Sequence, residues 1–108
     1  MAEKTAERKL DLQPDYLKIV QDILQRRVPQ LEIWAFGSRA KGTAKPYSDL
    51  DLAIITSQSL DLAILAALSD ELSDSNLPFK VDVIDWATTS EAFRAIIARD
   101  KVVVKNPA

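Results

Sequence analysis

The spacing of apolar residues predicts a helix followed by a strand in the first third of the chain. From Pro14 to Arg27, apolar side chains recur every three or four residues, as on one face of a helix, and proline suits a first-turn position. Pro29 ends this helix. Residues 31–36 then alternate with a period of two, which is typical of a strand, and this strand runs directly into Gly37.

The same patterns predict six further elements after Gly37. They are a short helix over residues 39–44 capped by Ser38, a strand over 49–56, a helix over 60–72 capped by Ser59, a strand over 79–85, a helix over 91–99 opened by the capping-box pair Thr88 and Glu91, and a short strand over 102–104. Alternating helices and strands favour a single sheet packed against helices. We therefore expect one α+β domain over residues 1–108, with residues 1–12 as a flexible N-terminal segment.

Composition narrows the chemistry that this domain can perform. The 108 residues include 14 basic and 16 acidic ones, giving a net charge of -2, which disfavours a polymeric nucleic-acid partner. The absence of cysteine and histidine excludes disulfides and Ser-His or Cys-His catalysis, and it leaves only carboxylates for zinc. Oxygen-ligated Mg²⁺ or Mn²⁺ remains available. The first ten residues contain no long apolar run, so we expect a cytoplasmic protein without signal peptide or membrane helix.

Two aspartates one residue apart, Asp49 and Asp51, are the first candidate site residues. With eleven aspartates in the chain, chance alone gives about one such pair, so the pair carries little information by itself. On a strand, however, side chains two residues apart share a face, with roots separated by roughly 6.6 Å. Such a pair can converge on two cations that activate an attacking oxygen and stabilise a leaving one at phosphorus.

A third carboxylate and a glycine-serine turn complete the pattern. Asp82 lies within a strand that its apolar neighbours predict to be largely buried, where a carboxylate calls for a functional explanation. Asp85 is expected on the opposite face near the strand end. Gly37 allows close backbone approach, and the Ser38 hydroxyl with nearby helix amides can hold phosphate oxygens. Three basic residues on the connecting segment can neutralise a pyrophosphate leaving group: Arg39, Lys41 and Lys45.

Each of these features also has an ordinary structural explanation. A Gly-Ser pair is most often a turn, the basic residues would most often form a solvated loop, and Asp82 could be a surface residue on an edge strand. Their order along the chain favours the functional interpretation. A turn able to hold phosphate is followed, after ten residues, by paired acids at the start of a strand and then by a third acid in a later strand.

These residues resemble a known family. The segment GSRAKGTAKPYSDLDLAI, followed by KVDVIDW, is similar to the minimal nucleotidyltransferases of the DNA polymerase β-like superfamily, whose hallmark is G-S-x10-D-x-D plus a later strand aspartate. The resemblance covers most of residues 31–86 and implies a small mixed β-sheet packed with helices. It also implies that Asp49, Asp51 and Asp82 bind two Mg²⁺ ions, or Mn²⁺, and that Gly37 and Ser38 bind ATP as the substrate.

The resemblance further implies a protein partner. Minimal nucleotidyltransferases of this kind are commonly paired with a HEPN-domain RNase toxin, which some of them silence by transferring AMP from ATP to a toxin tyrosine. We therefore expect a hetero-oligomer with a HEPN toxin, without membrane or direct nucleic-acid binding. Two alternatives remain open: adenylylation of a small molecule such as an aminoglycoside, and a non-catalytic antitoxin that covers its partner. The lack of an evident acceptor-binding domain argues against the small-molecule alternative.

Two predicted helices carry more apolar residues than a narrow stripe requires. These residues are Leu60, Leu62, Ile64, Leu65, Leu68 and Leu72 in one helix, and Phe93, Ile96 and Ile97 in the other. Ordinary core packing is the favoured explanation, with a partner-binding surface as the alternative. Three aromatic residues, Trp34, Tyr47 and Trp86, are likewise expected in packing roles rather than stacked on a base.

Overall fold

The computed structural model describes residues 10–108 and has the predicted α+β architecture. All eight predicted elements are present, together with one 3-10 turn. In chain order they are α1 (Pro14–Arg27), β1 (Glu32–Phe36), α2 (Ser38–Lys41), β2 (Leu50–Ile55), α3 (Leu62–Ser73), β3 (Val81–Asp85), the 3-10 turn (Trp86–Thr88), α4 (Glu91–Asp100) and β4 (Val102–Lys105). Among residues 10–108, no helix has both the length and the apolar character needed to cross a bilayer.

The four strands form one mixed sheet in the order β3-β2-β1-β4. β1 is antiparallel to both β2 and β4, whereas β2 and β3 are parallel and are joined through α3. β3 is therefore an edge strand, and Val81 to Ile84 are only partly buried. The expectation that apolar neighbours bury this strand is wrong, because only one side of β3 is covered by another strand.

Side-chain alternation divides the core between the two faces of the sheet. On the face covered by α1 and α3, buried residues include Ile33, Leu52 and Ile54. On the opposite face, Phe36 and Ala53 pack with Ile97 of α4 in a smaller cluster. Because Asp51 alternates with Leu50 and Leu52, it lies on the same face as Ala53, the α4 face.

The start of the described chain is packed against the body of the protein. Leu10 and Leu12 contact the larger core cluster, and the Asp11 amide donates to the Arg39 carbonyl at 2.7 Å. Residues 10–12 therefore have packing contacts with the core, and the flexibility expected for residues 1–12 stays a prediction. Residues 1–9, the remainder of that prediction, lie outside the described residues.

The helix caps differ from those predicted. Asp61, not Ser59, caps α3 by accepting from the Ala63 amide, and Ser90, not Thr88, caps α4 by accepting from the Phe93 amide. Gly37 takes the cap position of α2, so Ser38 is the first residue inside that helix. α2 begins one residue earlier and α3 two residues later than the periodicity indicated, whereas α4 begins at Glu91 as predicted. Several polar residues near each start compete for the cap.

Core packing accounts for only part of the apolar excess in α3 and α4. Leu68, Leu72 and Ile97 are buried as expected. The side chains of Leu62, Ile64, Phe93 and Ile96 are exposed instead. Packing therefore accounts for only part of the apolar surface of these four residues, including Phe93, whose ring contacts Phe36. Among the aromatic residues, Trp34 and Trp86 pack edge to face at 5.1 Å, whereas Tyr47 is exposed.

Candidate nucleotide and metal site

The three aspartates lie at the edge of the sheet where β2 and β3 begin. Since these strands are parallel, their first residues meet at the same edge, and Asp51 pairs directly with Asp82 in the register. Both side chains point to the α4 face by strand alternation. Asp49 comes one residue before β2 and is exposed. The chain thus brings the acids of two distant segments to one edge.

Gly37 adjoins the Asp51 carboxylate. The residue before it, Phe36, is the cross-strand partner of Asp51, and Gly37 itself has a φ of 77°. A Cβ atom built on Gly37 would lie 2.3 Å from Asp51 Oδ2, well inside contact distance. Glycine is therefore required twice over, for its backbone conformation and for the space that the carboxylate occupies. This contact links the glycine-serine turn to the acidic pair.

The pKa of Asp51 is raised by its burial and by the negative charge of its neighbours. Burial raises its pKa, and the neighbouring charges of Asp82 and Asp49 raise it further, to about 6. Ionised Asp51 is thus held in a site that favours a bound proton or cation. The donor set consists of carboxylate oxygens alone, which suits Mg²⁺ or Mn²⁺. As these side chains stand, no three carboxylates within residues 10–108 are arranged to hold a metal ion.

A basic residue that the sequence patterns did not single out pairs with Asp82. The Lys80 ammonium group lies 3.3 Å from Asp82 Oδ1, and the Lys80 carbonyl accepts from the Leu50 amide at 2.9 Å. Lys80 comes one residue before β3 and two before Asp82, and its carbonyl pairs with β2, so the two side chains extend to the same face. That spacing was visible in the sequence and was the signal that could have identified Lys80.

Arg39 has a different role from the predicted one. Its side chain is buried, and its guanidinium donates to the carbonyls of Asp11, Pro46 and Ser48 at 2.9 to 3.1 Å. The same group stacks over the Phe79 ring at 4.2 Å. These contacts occupy the guanidinium inside the protein, so the geometry does not support nucleotide binding by Arg39. Its contacts hold the segment that leads into Asp49.

The other two basic residues of this segment remain at the surface. Lys41, at the end of α2, and Lys45 are both exposed. A tight turn follows, in which the Ser48 hydroxyl accepts from the Lys45 amide at 2.8 Å and the Ser48 amide donates to the Lys45 carbonyl. Asp49 directly follows this turn. The side chains of Lys41 and Lys45, which lie between Gly37 and the turn, are exposed to solvent.

Asp85 serves the structure at the other end of β3. Its buried carboxylate accepts hydrogen bonds from the Thr56 hydroxyl and from the amides of Leu60 and Ala87. Burial raises the pKa of Asp85, but these hydrogen bonds outweigh that effect and lower it below the ordinary value. Asp85 therefore joins the ends of β2 and β3 to the following loops, away from Asp82.

An aromatic residue of α4 borders the acidic edge. The Phe93 ring packs edge to face on Phe36 with 5.6 Å between centroids. Phe36 in turn is the direct cross-strand neighbour of Asp51, and side chains in such pairs lie about 5 Å apart at their Cβ atoms. Phe93 is 39% exposed. No local sequence signal places it here, because the contact depends on how α4 crosses the sheet.

Comparisons with known proteins agree with this geometry. The family model described as "Polymerase beta, Nucleotidyltransferase" matches residues 18–107. Over 97 residues the chain is 53% identical to a protein of Haemophilus influenzae named "Probable protein adenylyltransferase MntA", covering 90% of this chain and 85% of that protein.

Solved structures show the same architecture. One chain in a crystal structure of a toxin-antitoxin with AMP-PNP superposes with a TM-score of 0.71 at 25% identity, covering 83% of this chain and 73% of that one. A chain from a mutant MntA-HpeT toxin-antitoxin structure gives 0.68 at 27% identity, with coverages of 88% and 73%. The predicted fold is confirmed, and the chain belongs to the polymerase β nucleotidyltransferase family.

Proposed function

We propose that this protein is an Mg²⁺-dependent adenylyltransferase antitoxin, which transfers AMP from ATP to a tyrosine hydroxyl of a HEPN-domain RNase toxin and thereby neutralises the toxin. The observation that carries the proposal is the gathering of Asp49, Asp51 and Asp82 at one sheet edge, with the Asp51 carboxylate against Gly37. The reaction would take place in the cytoplasm, where ATP is available.

The names of similar proteins support both halves of the proposal. The Haemophilus influenzae relative is named as a protein adenylyltransferase, and the identity of 53% extends over nearly the whole chain. The structural neighbours come from toxin-antitoxin complexes, one of them with AMP-PNP, a non-hydrolysable ATP analogue. We also propose that residues 1–108 fold as a single domain.

We assign Asp49, Asp51 and Asp82 as ligands of two Mg²⁺ ions, with Mn²⁺ as a substitute. When bound, the ions polarise the α-phosphoryl oxygens and lower the pKa of the acceptor hydroxyl. Holding a shared cation would require Asp82 to give up its ion pair with Lys80. Carboxylates at this spacing bind Mg²⁺ together with substrate phosphates rather than in an all-protein cage.

The remaining residues would bind and orient the triphosphate. Gly37 lets the backbone approach the β- and γ-phosphates, and the Ser38 hydroxyl donates to one of their oxygens. Lys41 is the cation we assign to the pyrophosphate product, whereas Arg39 is excluded because it is buried. The acceptor oxygen attacks the α-phosphorus, the bond to the bridging oxygen breaks, pyrophosphate leaves, and Asp82 accepts the hydroxyl proton.

Incubating the purified protein and its toxin with Mg²⁺ and α-labelled ATP tests this function. We expect label on the toxin with the wild-type chain and none with Asp49→Asn or Asp51→Asn. Asp70→Asn is the matched control, since Asp70 is an exposed carboxylate of α3 and should leave labelling intact. Toxin that stays unlabelled with the wild-type chain would overturn the catalytic proposal. If Asp51→Asn still protected cells from the toxin, the covering mechanism would be favoured instead.

A further inference from the structure

An exposed apolar strip runs along α4. It consists of Ala92, Phe93, Ala95 and Ile96, and we refer to it as the α4 strip. Phe93 and Ile96 are 39% and 44% exposed, and their spacing of three residues places them side by side on the helix. Arg94, the only charged residue within this run, is turned away because its guanidinium donates twice to the Trp86 carbonyl. The strip is therefore apolar without interruption.

The contacts of Phe93 show that the α4 strip lies beside the carboxylates. Its ring packs on Phe36, the cross-strand neighbour of Asp51. Asp51 and Asp82 point to this same face of the sheet. A hydroxyl group that reaches the carboxylates must approach over this face, so whatever carries the hydroxyl comes next to Phe93.

The shape of the strip favours a protein acceptor over a nucleobase. A base stacks on one flat aromatic face, whereas the strip continues from Phe93 to Ile96 through aliphatic side chains that offer no stacking surface. A second copy of this chain on the strip would cover the approach to Asp51. An acceptor protein accounts for both the apolar character and the location.

We propose that the α4 strip is the docking surface for the acceptor protein, receiving apolar side chains next to the hydroxyl that is adenylylated. The proposal rests on the proposed function for the identity of the acceptor, the HEPN-domain toxin. It also explains why Phe93 and Ile96 stay apolar although the core does not need all of their surface. The partner would present an apolar patch beside its reactive tyrosine.

A second exposed apolar surface provides the matched control. Leu62 and Ile64 at the start of α3 are 80% and 42% exposed. The connection into α3 joins the far end of the sheet, since the Leu60 amide donates to Asp85. β2 alone, from Leu50 to Ile55, separates the two ends by about 17 Å. Leu62 is therefore as apolar as the strip but lies away from the carboxylates.

The test compares two strip variants with two α3 variants. Ile96→Glu puts a charge on the strip, and Ala95→Arg adds bulk at an exposed alanine without removing any core contact. Leu62→Glu and Ala66→Arg make the same changes on α3, where Ala66 is also exposed. Calorimetry with the purified toxin gives the dissociation constant of the complex, and separate titrations give the constants for Mn²⁺ and for a non-hydrolysable ATP analogue.

We expect both strip variants to weaken toxin binding by about tenfold or more, with nucleotide and metal binding within about twofold of wild type. The α3 variants should bind toxin as the wild type does. Unchanged toxin binding by Ala95→Arg and Ile96→Glu would overturn the proposal. Weaker nucleotide binding would assign the strip to the base, and conversion of a wild-type dimer to monomer would assign it to a second copy. The dissociation constant is measured without AMP transfer. It therefore tests the docking surface even if the protein does not adenylylate the toxin.

Discussion

At the residue scale, the Asp51 carboxylate lies in an environment that disfavours its charge. It is partly buried, it is paired in register with Asp82, and its Oδ2 atom occupies the space beside Gly37. A catalytic carboxylate that binds cations is expected to destabilise the protein in their absence. Under the proposed function, Asp51 therefore contributes to cation binding and lowers the stability of the cation-free protein.

Asp51→Asn should stabilise the metal-free protein while abolishing transfer. With a pKa of about 6 in the folded state and 3.8 ordinarily, ionised Asp51 lowers stability above pH 6. This loss disappears as the pH falls toward 4, because the folded state binds the proton first. At pH 7 in EDTA, the free energy of unfolding should rise by on the order of 1 kcal/mol, a value discounted for solvent screening.

Urea denaturation at pH 7 and near pH 4 measures this difference. The stability gap between Asp51→Asn and the wild type should be present at pH 7 and close near pH 4. A gap of the same size at both pH values would contradict the assigned protonation of Asp51.

Gly37→Ala and Gly42→Ala form a matched pair at the two positive-φ glycines. Both lose about 1 kcal/mol or more of stability because φ values of 77° and 78° strain alanine. Only at Gly37 does the added methyl group meet Asp51 Oδ2, whereas nothing lies within 4 Å at Gly42. Transfer activity should therefore fall at least about a hundredfold in Gly37→Ala, because small displacements of reacting groups have effects of this size. In Gly42→Ala it should stay near the wild-type value. Equal activity losses in the two variants would show that backbone strain, not the carboxylate position, is decisive.

Lys80→Met should tighten binding of a divalent cation. The ammonium group competes for Asp82, and an exposed pair of this kind contributes up to about 1 kcal/mol, or roughly fivefold in affinity. Titration calorimetry with Mn²⁺ in the absence of nucleotide measures the change. Lys18→Met is the control, since Lys18 forms an equally exposed pair with Asp22 on α1. Weaker Mn²⁺ binding by Lys80→Met would mean that Lys80 positions Asp82 rather than competing for it.

Residue spacing predicted the placement of some of these residues and missed that of others. Gly37, Asp51 and Asp82 were identified because a short-range pattern and strand alternation place them, and the structure brings them together. Phe93 was missed as a site neighbour, since its contact with Phe36 joins segments far apart in the chain. The burial of Arg39, which argues against its predicted contact with nucleotide, could not be inferred from its charge in the sequence.

At the scale of elements, hydrogen bonds from α2 fix the loop that precedes Asp49. Arg39 connects the start of the described chain, the loop at Pro46 and the turn at Ser48 through three carbonyl oxygens. Asp49 directly follows this turn. Its position therefore depends on a buried cation in a helix of only four residues.

Arg39→Met should destabilise the protein by about 3 kcal/mol, because it removes the three hydrogen bonds from the buried guanidinium to the Asp11, Pro46 and Ser48 carbonyls. Lys41→Met, two residues away on the exposed side of α2, should change stability by less than about 0.5 kcal/mol. Thermal and urea denaturation distinguish the two variants. A stable Arg39→Met protein with weakened nucleotide binding would instead support the original assignment of Arg39 to the nucleotide.

Element types were predicted more reliably than their environment. Periodicity identified all four helices and all four strands, since each carries a clear repeat of two or about 3.6 residues. It did not reveal that β3 lies at the sheet edge, because strand order depends on pairing between distant segments. Nor did it select Asp61 and Ser90 as caps among several neighbouring polar residues.

At the scale of the whole molecule, the two ends of the sheet differ in the residues they carry and in how those residues are bonded. The end where β2 and β3 begin carries the acids, the Gly37 turn and the nearby Phe93. The opposite end is closed by Asp85, whose hydrogen bonds join Thr56, Leu60 and Ala87. The Asp85 end is therefore held by hydrogen bonds, whereas the acidic end, where carboxylate charges repel, is the proposed site for cations, nucleotide and acceptor.

The decisive measurement is the intact mass of the toxin after incubation with Mg²⁺-ATP and far less than one equivalent of this protein. A catalyst turns over, so we predict that most toxin molecules gain the mass of at least one adenylyl group and lose RNase activity. Asp51→Asn should leave the mass unchanged under the same conditions. Toxin that keeps its mass, and is inhibited only when this protein is present in equal amount, would contradict the catalytic account and favour neutralisation by binding alone.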